Sequence, residues 1–319
     1  MRGVAIILVA ALCTLTGCTS GNPAHPASAG APERTTLRVG AGNPIDTAPL
    51  RLAVADGSFT RAGLDVTLVE EQTQQDGLTG LSTGNMDVAF ATDVTFFNAA
   101  ANGTALQLQG EAYASAPYTM SLVTLPSSDY TDVAAKKAPR IAVDDQNGLG
   151  KLAVDSMVAT AGGDPTKIKF VTRSYDRMPA ALRDGSADAA LMIEPYLTQA
   201  QQDLGARVLA DSSRGATANF PVSSYATSGL FAQSNPRTLA VFRQVLGEAQ
   251  QRAAADQSTV RRALPKLARV DDSTAALITL GEYPTSLNGV RLQRVADLMH
   301  DTGMLAERLD VLSLLPKSS

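Results

Sequence analysis

Two carboxylates stand where a ligand would be read. Asp93 ends Leu81–Asp93 (LSTGNMDVAFATD) and Glu194 ends Leu182–Glu194 (LRDGSADAALMIE); both segments fit L-x-x-G-x-x-D-[VA]-A-[FL]-x-x-[DE]. An acid just past the carboxyl end of a buried strand lies where open α/β sheets bind their ligands. A symmetric pair would then face each other across a crevice and accept hydrogen bonds from a solute. The competing reading is local: each acid starts the next helix, where it complements the dipole and where Pro195 fits the first helical position. Within the repeat, Gly84 and Gly185 suit helix ends, and Asp87 and Asp188 suit turns into strands, so these four are structural.

Other groups offer less chemistry. Asn43 to Asp46 and Asn147 to Gly150 each follow a first strand and lead into a helix, so free N–H groups there suit a ligand oxygen or an anion. Asn147-Gly148-Leu149-Gly150-Lys151 is no Walker loop, because Asp145 occupies the first glycine position and Leu152 replaces Ser or Thr. The folded part has one histidine, His300, and no G-x-S-x-G elbow. The pairs Glu70-Glu71, Asp144-Asp145 and Asp271-Asp272 lack metal-loop spacing. The first and third read as solvated turns or helix starts. No catalytic group, metal or cofactor is expected.

The elements that position these residues repeat. Arg38-Val39 (RVGAGN) is echoed by Arg140-Ile141 (RIAVDD), and Gly63-Leu64-Asp65 by Gly163-Asp164-Pro165, in the same order as the long repeat. The first half reads strand 37–41, helix 48–55, strand 66–69, helix 74–83 and strand 88–91. The second reads strand 140–143, helix 151–161, strand 168–171, helix 178–184 and strand 189–193. Such alternation predicts mostly parallel sheets flanked by helices. Tyr118 to Leu125 and Val222 to Phe231 read as two crossings between lobes. Asn235-Pro236 opens a helix burying Leu239, Phe242, Val245, Leu246 and Ala249, and a further helix spans about Val290 to Asp301; both are expected to pack back on the first lobe.

The chain has 319 residues, 45% hydrophobic and 18% charged, with a net charge of −4. It is large enough for two lobes and supplies no basic field for nucleic acid. Met1-Arg2, the apolar Gly3 to Leu12 and Leu15-Thr16-Gly17-Cys18 read as an export signal too short to span a bilayer. Thr19 to Pro32 is small, polar and proline-rich, a flexible tether. Leu15 to Cys18 resembles the bacterial lipobox, which implies cleavage before Cys18 and lipidation of its thiol, anchoring the chain on the outer face of the cell membrane. Cys13 lies in the removed segment, so no thiol is left for a disulfide or a nucleophile. Loss of residues 1–17 leaves 26 basic against 31 acidic residues, a net charge of −5.

Ala48 to Val66, Leu81 to Asp93, Arg140 to Lys151 and Ala180 to Tyr196 resemble the nitrate, sulfonate and taurine substrate-binding family, related to thiamine-pyrimidine precursor proteins. The most specific mark is A-x-x-x-G-x-F-x-x-x-G-L-D-V, running from Ala53 or Ala55 through Val66, with Glu194-Pro195 in support. The resemblance covers nearly all of residues 36 to 306. It implies an α/β, two-lobe periplasmic-binding fold of type II with a ligand cleft between lobes, delivering solute to an ABC permease and its ATPase. Enzymes of the wider group use a cysteine-rich iron motif and a sacrificial histidine, and the mature chain lacks those cysteines, so no enzyme is expected.

The expected organisation is a signal at 1–17, a tether at 18–34, a first lobe at 35–121 and 223–319, and a second at 122–222, in a monomer. The expected ligand residues are Asn43, Asp46, Thr92 and Asp93 from the first lobe, Asn147 and Glu194 from the second, and Tyr118 or Ser224 near the hinge. Three acids near the crevice favour a ligand with an amine or ring N–H donors, such as a pyrimidine or an aminosulfonate, over a plain anion. An anchored sensor working through a signalling partner is the alternative, and a pyrimidine-precursor enzyme a remoter one.

Overall fold

The computed structural model describes residues 31–317; the expected export signal 1–17, Cys18 and the expected tether up to residue 30 lie outside the described residues. From Pro32 on, the chain is one compact unit. It begins with β1 (Thr36–Ala41), α1 (Ala48–Ala55), α2 (Ser58–Arg61), β2 (Asp65–Glu70), α3 (Gln74–Thr83), β3 (Ala89–Thr92), α4 (Asp93–Ala101) and β4 (Leu106–Ala114). There follow β5 (Met120–Thr124), β6 (Arg140–Val143), α5 (Leu149–Thr160), β7 (Lys169–Thr172), α6 (Met178–Arg183), β8 (Ala189–Ile193), α7 (Tyr196–Leu204) and β9 (Arg207–Asp211). The chain closes with β10 (Pro221–Ser228), α8 (Gly229–Ser234), α9 (Pro236–Ala255), α10 (Gln257–Leu267), α11 (Asp272–Leu277) and α12 (Gly289–Asp301).

The strands make two sheets of like order. In the second lobe the order is β7-β6-β8-β5-β9. In the first, β2 pairs with β1 and β3-β10-β4 run together; a parallel bridge between Val39 and Val88, with the Gly40 N–H on the Val88 carbonyl at 2.8 Å, joins them as β2-β1-β3-β10-β4. The fold is therefore α/β, with sheets flanked by helices.

Each sheet is mostly parallel, four of its five strands running one way; the exceptions are β5, antiparallel to β8 and β9, and β10, antiparallel to β3 and β4. One expectation is corrected. The segments 118–125 and 222–231 are not simple crossings, because β5 and β10 fill most of them and lie inside the sheets. A proline-bounded apolar run suits a linker or a strand equally, since proline is tolerated at a strand's first residue, as Pro221 is here. The crossings are residues 115–119 and 212–220, which lie together: the Ser115 N–H bonds the Phe220 carbonyl at 2.9 Å, and the Phe220 N–H bonds Ser115 Oγ at 3.0 Å.

The repeat has one bonding scheme, built twice. Asp87 receives the Arg38 N–H (2.8 Å) and guanidinium (3.0 Å); Asp188 receives the Arg140 N–H (2.7 Å) and guanidinium (2.9 Å). Thr227 of β10 and Thr124 of β5 donate to the carbonyls of Asp87 and Asp188 at 2.6 and 2.9 Å. Gly84 and Gly185, at φ of 69° and 71°, turn the chain from helix toward strand in the left-handed region that glycine tolerates. Each Asp thus fixes two parallel strands end to end through charge-assisted bonds.

Candidate functional site

A cavity of about 40 Å³ lies between the carboxyl ends of the two sheets. A water needs roughly 10–15 Å³ on this measure, so the space as it stands holds about three waters. The first lobe contributes Asn43, Ile45 and Asp46 from the loop after β1, Gln74 at the start of α3, Phe90 and Thr92 of β3, and Tyr113 of β4. The second contributes Thr119 and Met120, Leu149 at the start of α5, Tyr175, Ile193 and Glu194. Among the described lining residues there is no lysine, arginine or histidine.

Asp46 is 7% exposed and accepts the Ser223 hydroxyl on Oδ2 at 2.8 Å. Burial, only partly offset by that bond, pushes it up to about 7, so near neutrality it exchanges a proton readily. The Asn43 Oδ1 accepts the Ile45 N–H at 2.8 Å, which holds this loop in shape, and its Nδ2 reaches the Glu194 carbonyl at 3.1 Å on the opposite wall.

Glu194 is a junction. Its carboxylate accepts the Thr198 hydroxyl (2.8 Å) and N–H (3.1 Å) from α7, and the Thr279 N–H (2.9 Å) from the segment after α11. Burial raises its pKa in spite of these donors. It therefore lines the cavity while tying the second lobe to the C-terminal segment of the first. Tyr175 stacks on Tyr196 at 5.6 Å and 18°, giving that wall a flat aromatic surface.

Of the other candidates only Thr92 reaches the cavity. Asp93 is fully buried at the first position of α4 and accepts the Ser224 hydroxyl at 2.5 Å, so this pair packs behind the cavity. Burial, opposed by that hydroxyl, pushes Asp93 up to about 8. Thr92 lines the cavity and caps α4 by accepting the Thr95 N–H at 3.2 Å. The carbonyl of Asn147 accepts Asn98 Nδ2 at 2.8 Å in a separate groove between the lobes. Tyr118 is 47% exposed, with φ of 67°, over a depression formed with Asp211 and Arg214. The aromatic residues Phe90, Tyr113 and Tyr175 were not singled out from the sequence. Tyr175 follows β7, so the strand-end rule that marked Asp93 applied to it as well.

Two sheets of this order with a cleft at their carboxyl ends define the periplasmic-binding-protein fold. Among solved structures, the alkanesulfonate-binding protein SsuA of Xanthomonas axonopodis pv. citri, bound to MOPS, matches with a TM-score of 0.74 and 21% identity over 90% of this chain and 100% of its own. SsuA of Escherichia coli, a periplasmic aliphatic sulphonate binding protein, gives 0.72 and 19% over 90% and 93%. The periplasmic nitrate-binding protein NrtA of Synechocystis PCC 6803 gives 0.73 and 15% over 89% and 86%. No curated protein matches in sequence. The family profile described as NMT1/THI5 like matches residues 45–259, and the chain belongs to that family.

Proposed function

We propose that the chain is an extracytoplasmic solute-binding lipoprotein, anchored through Cys18 at the cell membrane, that closes as a monomer on a small polar organic solute and hands it to an ABC permease and its ATPase. Family and fold support binding and delivery. The lining of the cavity supports the ligand class: two buried carboxyls on opposite walls, Asp46 and Glu194, and three aromatic rings, with no cation to hold a plain anion. Two of the structural neighbours are named for sulfonates and one for nitrate; this lining suits a solute that brings N–H donors, such as a pyrimidine or an aminosulfonate. Closing would be selection of the state in which both walls touch the solute.

Calorimetry of the chain from Pro32, the compact unit, tests this against pyrimidines, aminosulfonates and plain alkanesulfonates. Donor-bearing solutes should bind, and Asp46→Asn should weaken them about tenfold or more, the scale of one bond to a charged group. Tight binding of a plain alkanesulfonate, indifferent to Asp46→Asn and Glu194→Gln, would sink the reading.

A further inference from the structure

The pair Glu70-Glu71 reads as a solvated turn, and the structure separates its members. Glu70 points outward and is forked by the Arg51 guanidinium at 2.6 and 2.7 Å. Glu71 turns inward and is 9% exposed. Its Oε1 accepts the Phe90 N–H at 3.1 Å, and among the described residues Oε2 has no hydrogen-bond partner. The nearby Arg51 is engaged by Glu70 and by the Ala41 and Gly42 carbonyls, so it does not neutralise Glu71.

Room for this carboxyl is built into the backbone. A Cβ on Gly40 would fall 1.8 Å from Glu71 Oε1, and one on Gly77 3.0 Å from it. A strand glycine of this kind marks the close approach of another group. Burial pushes Glu71 up to about 8, opposed by the Phe90 N–H and helped by the charges of Asp76 and Glu70. The Phe90 N–H repays part of the cost of burying this carboxyl, and Oε2, which is not enclosed, is left to face an opening. That opening, of about 480 Å³, shares Asn43, Gln74, Phe90, Tyr175 and Ile193 with the cavity, so Glu71 stands at the cavity's entrance.

We propose that Glu71 is a second ligand-reading carboxyl of this cleft, and that the solute presents two separated nitrogen donor groups, one to Asp46 at the floor and one to Glu71 at the entrance. The proposal rests on the solute-binding reading above and narrows its ligand class. Phe90 and Tyr175, common to the cavity and its opening, suit the apolar body of such a solute, and Lys266 and Arg269 on the opening's rim stand beside its acids.

The test is calorimetry of the full chain with a series from 1,2-diaminoethane to 1,5-diaminopentane, set against propylamine and propane-1-sulfonate. One diamine should bind at least tenfold tighter than propylamine. Glu71→Gln keeps an oxygen for the Phe90 N–H and should erase that advantage. The ratio of diamine to monoamine in the unaltered protein is a test that needs no variant. Equal binding of diamines and propylamine, both lost in Asp46→Asn, would overturn the role of Glu71 and leave the solute-binding reading standing. Binding of no amine would overturn the role of Glu71, and binding of the sulfonate alone would overturn both.

Discussion

The buried acids differ in what surrounds each carboxyl. Asp93 and Glu194 occupy equivalent strand ends and were legible as a pair, yet one packs against β10 and the other lines the cavity. Which way a carboxyl turns depends on residues far along the chain, Ser224 for Asp93 and Thr279 for Glu194, and no local pattern carries that. Glu71 was misread for the same reason: glycines at 40 and 77 make its niche. Asp93 gives a prediction with a definite sign. Its folded pKa is raised from 3.8 to about 8, so its contribution is full below about pH 4 and lost as pH rises toward 8. Ser224, Glu111, Arg291 and Asp46 face it, and Asp93→Asn keeps an acceptor for Ser224. Melting followed from pH 4 to 8 should therefore fall less steeply in Asp93→Asn, with the variant at least as stable as the parent at pH 8; an unchanged slope would show that Asp93 is charged in the folded protein. Asp188 has the opposite sign. Burial alone would raise it, but bonds from Arg140 and Lys136 prevail and hold it at about 2, so its contribution fades as pH falls from about 4 to 2. Asp188→Ala leaves the Arg140 N–H without its acceptor and should cost about 1–3 kcal/mol in urea unfolding at pH 7.

At the scale of elements, α3 at Gln74–Thr83 and the face of α9 that buries Leu239, Phe242 and Leu246 follow the spacing read from the sequence. The pair α10 and α11 was not legible: α10 buries only Val260 and Leu264 and contains Pro265, and α11 has six residues. Their attachment combines polar bonds with a small apolar core. Arg261 of α10 donates to the carbonyls of Ala275, Ala276 and Ile278, and Val260, Leu264, Ala275 and Ile278 share a core with Ile45 and Tyr113 of the first lobe. The same segment touches the second lobe through the Thr279 N–H on Glu194 and the Thr274 hydroxyl on Gln202 at 3.0 Å. These two bonds span the lobes, so they must break if the lobes part. Hydrogen exchange should show it: Thr274→Val is expected to raise exchange across 194–204 and 275–283 together, about five- to tenfold for the loss of one bond near 1 kcal/mol. A rise confined to 275–283 would mean that the segment serves the first lobe alone.

At the scale of the molecule, the duplication was readable because each copy keeps its Arg, Gly and Asp at matching places, and these make the same bonds in both sheets. The direction of the added strands was not readable, since an apolar run carries no sign of whether it runs with its neighbours or against them. That strand placement has a consequence in time. All five strands of the second sheet lie within residues 120–211, whereas β3 and β4 become neighbours of a common strand only when β10, at 221–228, reaches them. A chain emerging from its amino end can finish its later lobe while its earlier one still has two open strand edges, which are prone to wrong pairing. In chains halted during synthesis after residue 211 has emerged and before 221–228 has, protease protection should then appear across 120–211 and not yet across 89–114. The part made first would be the part finished last.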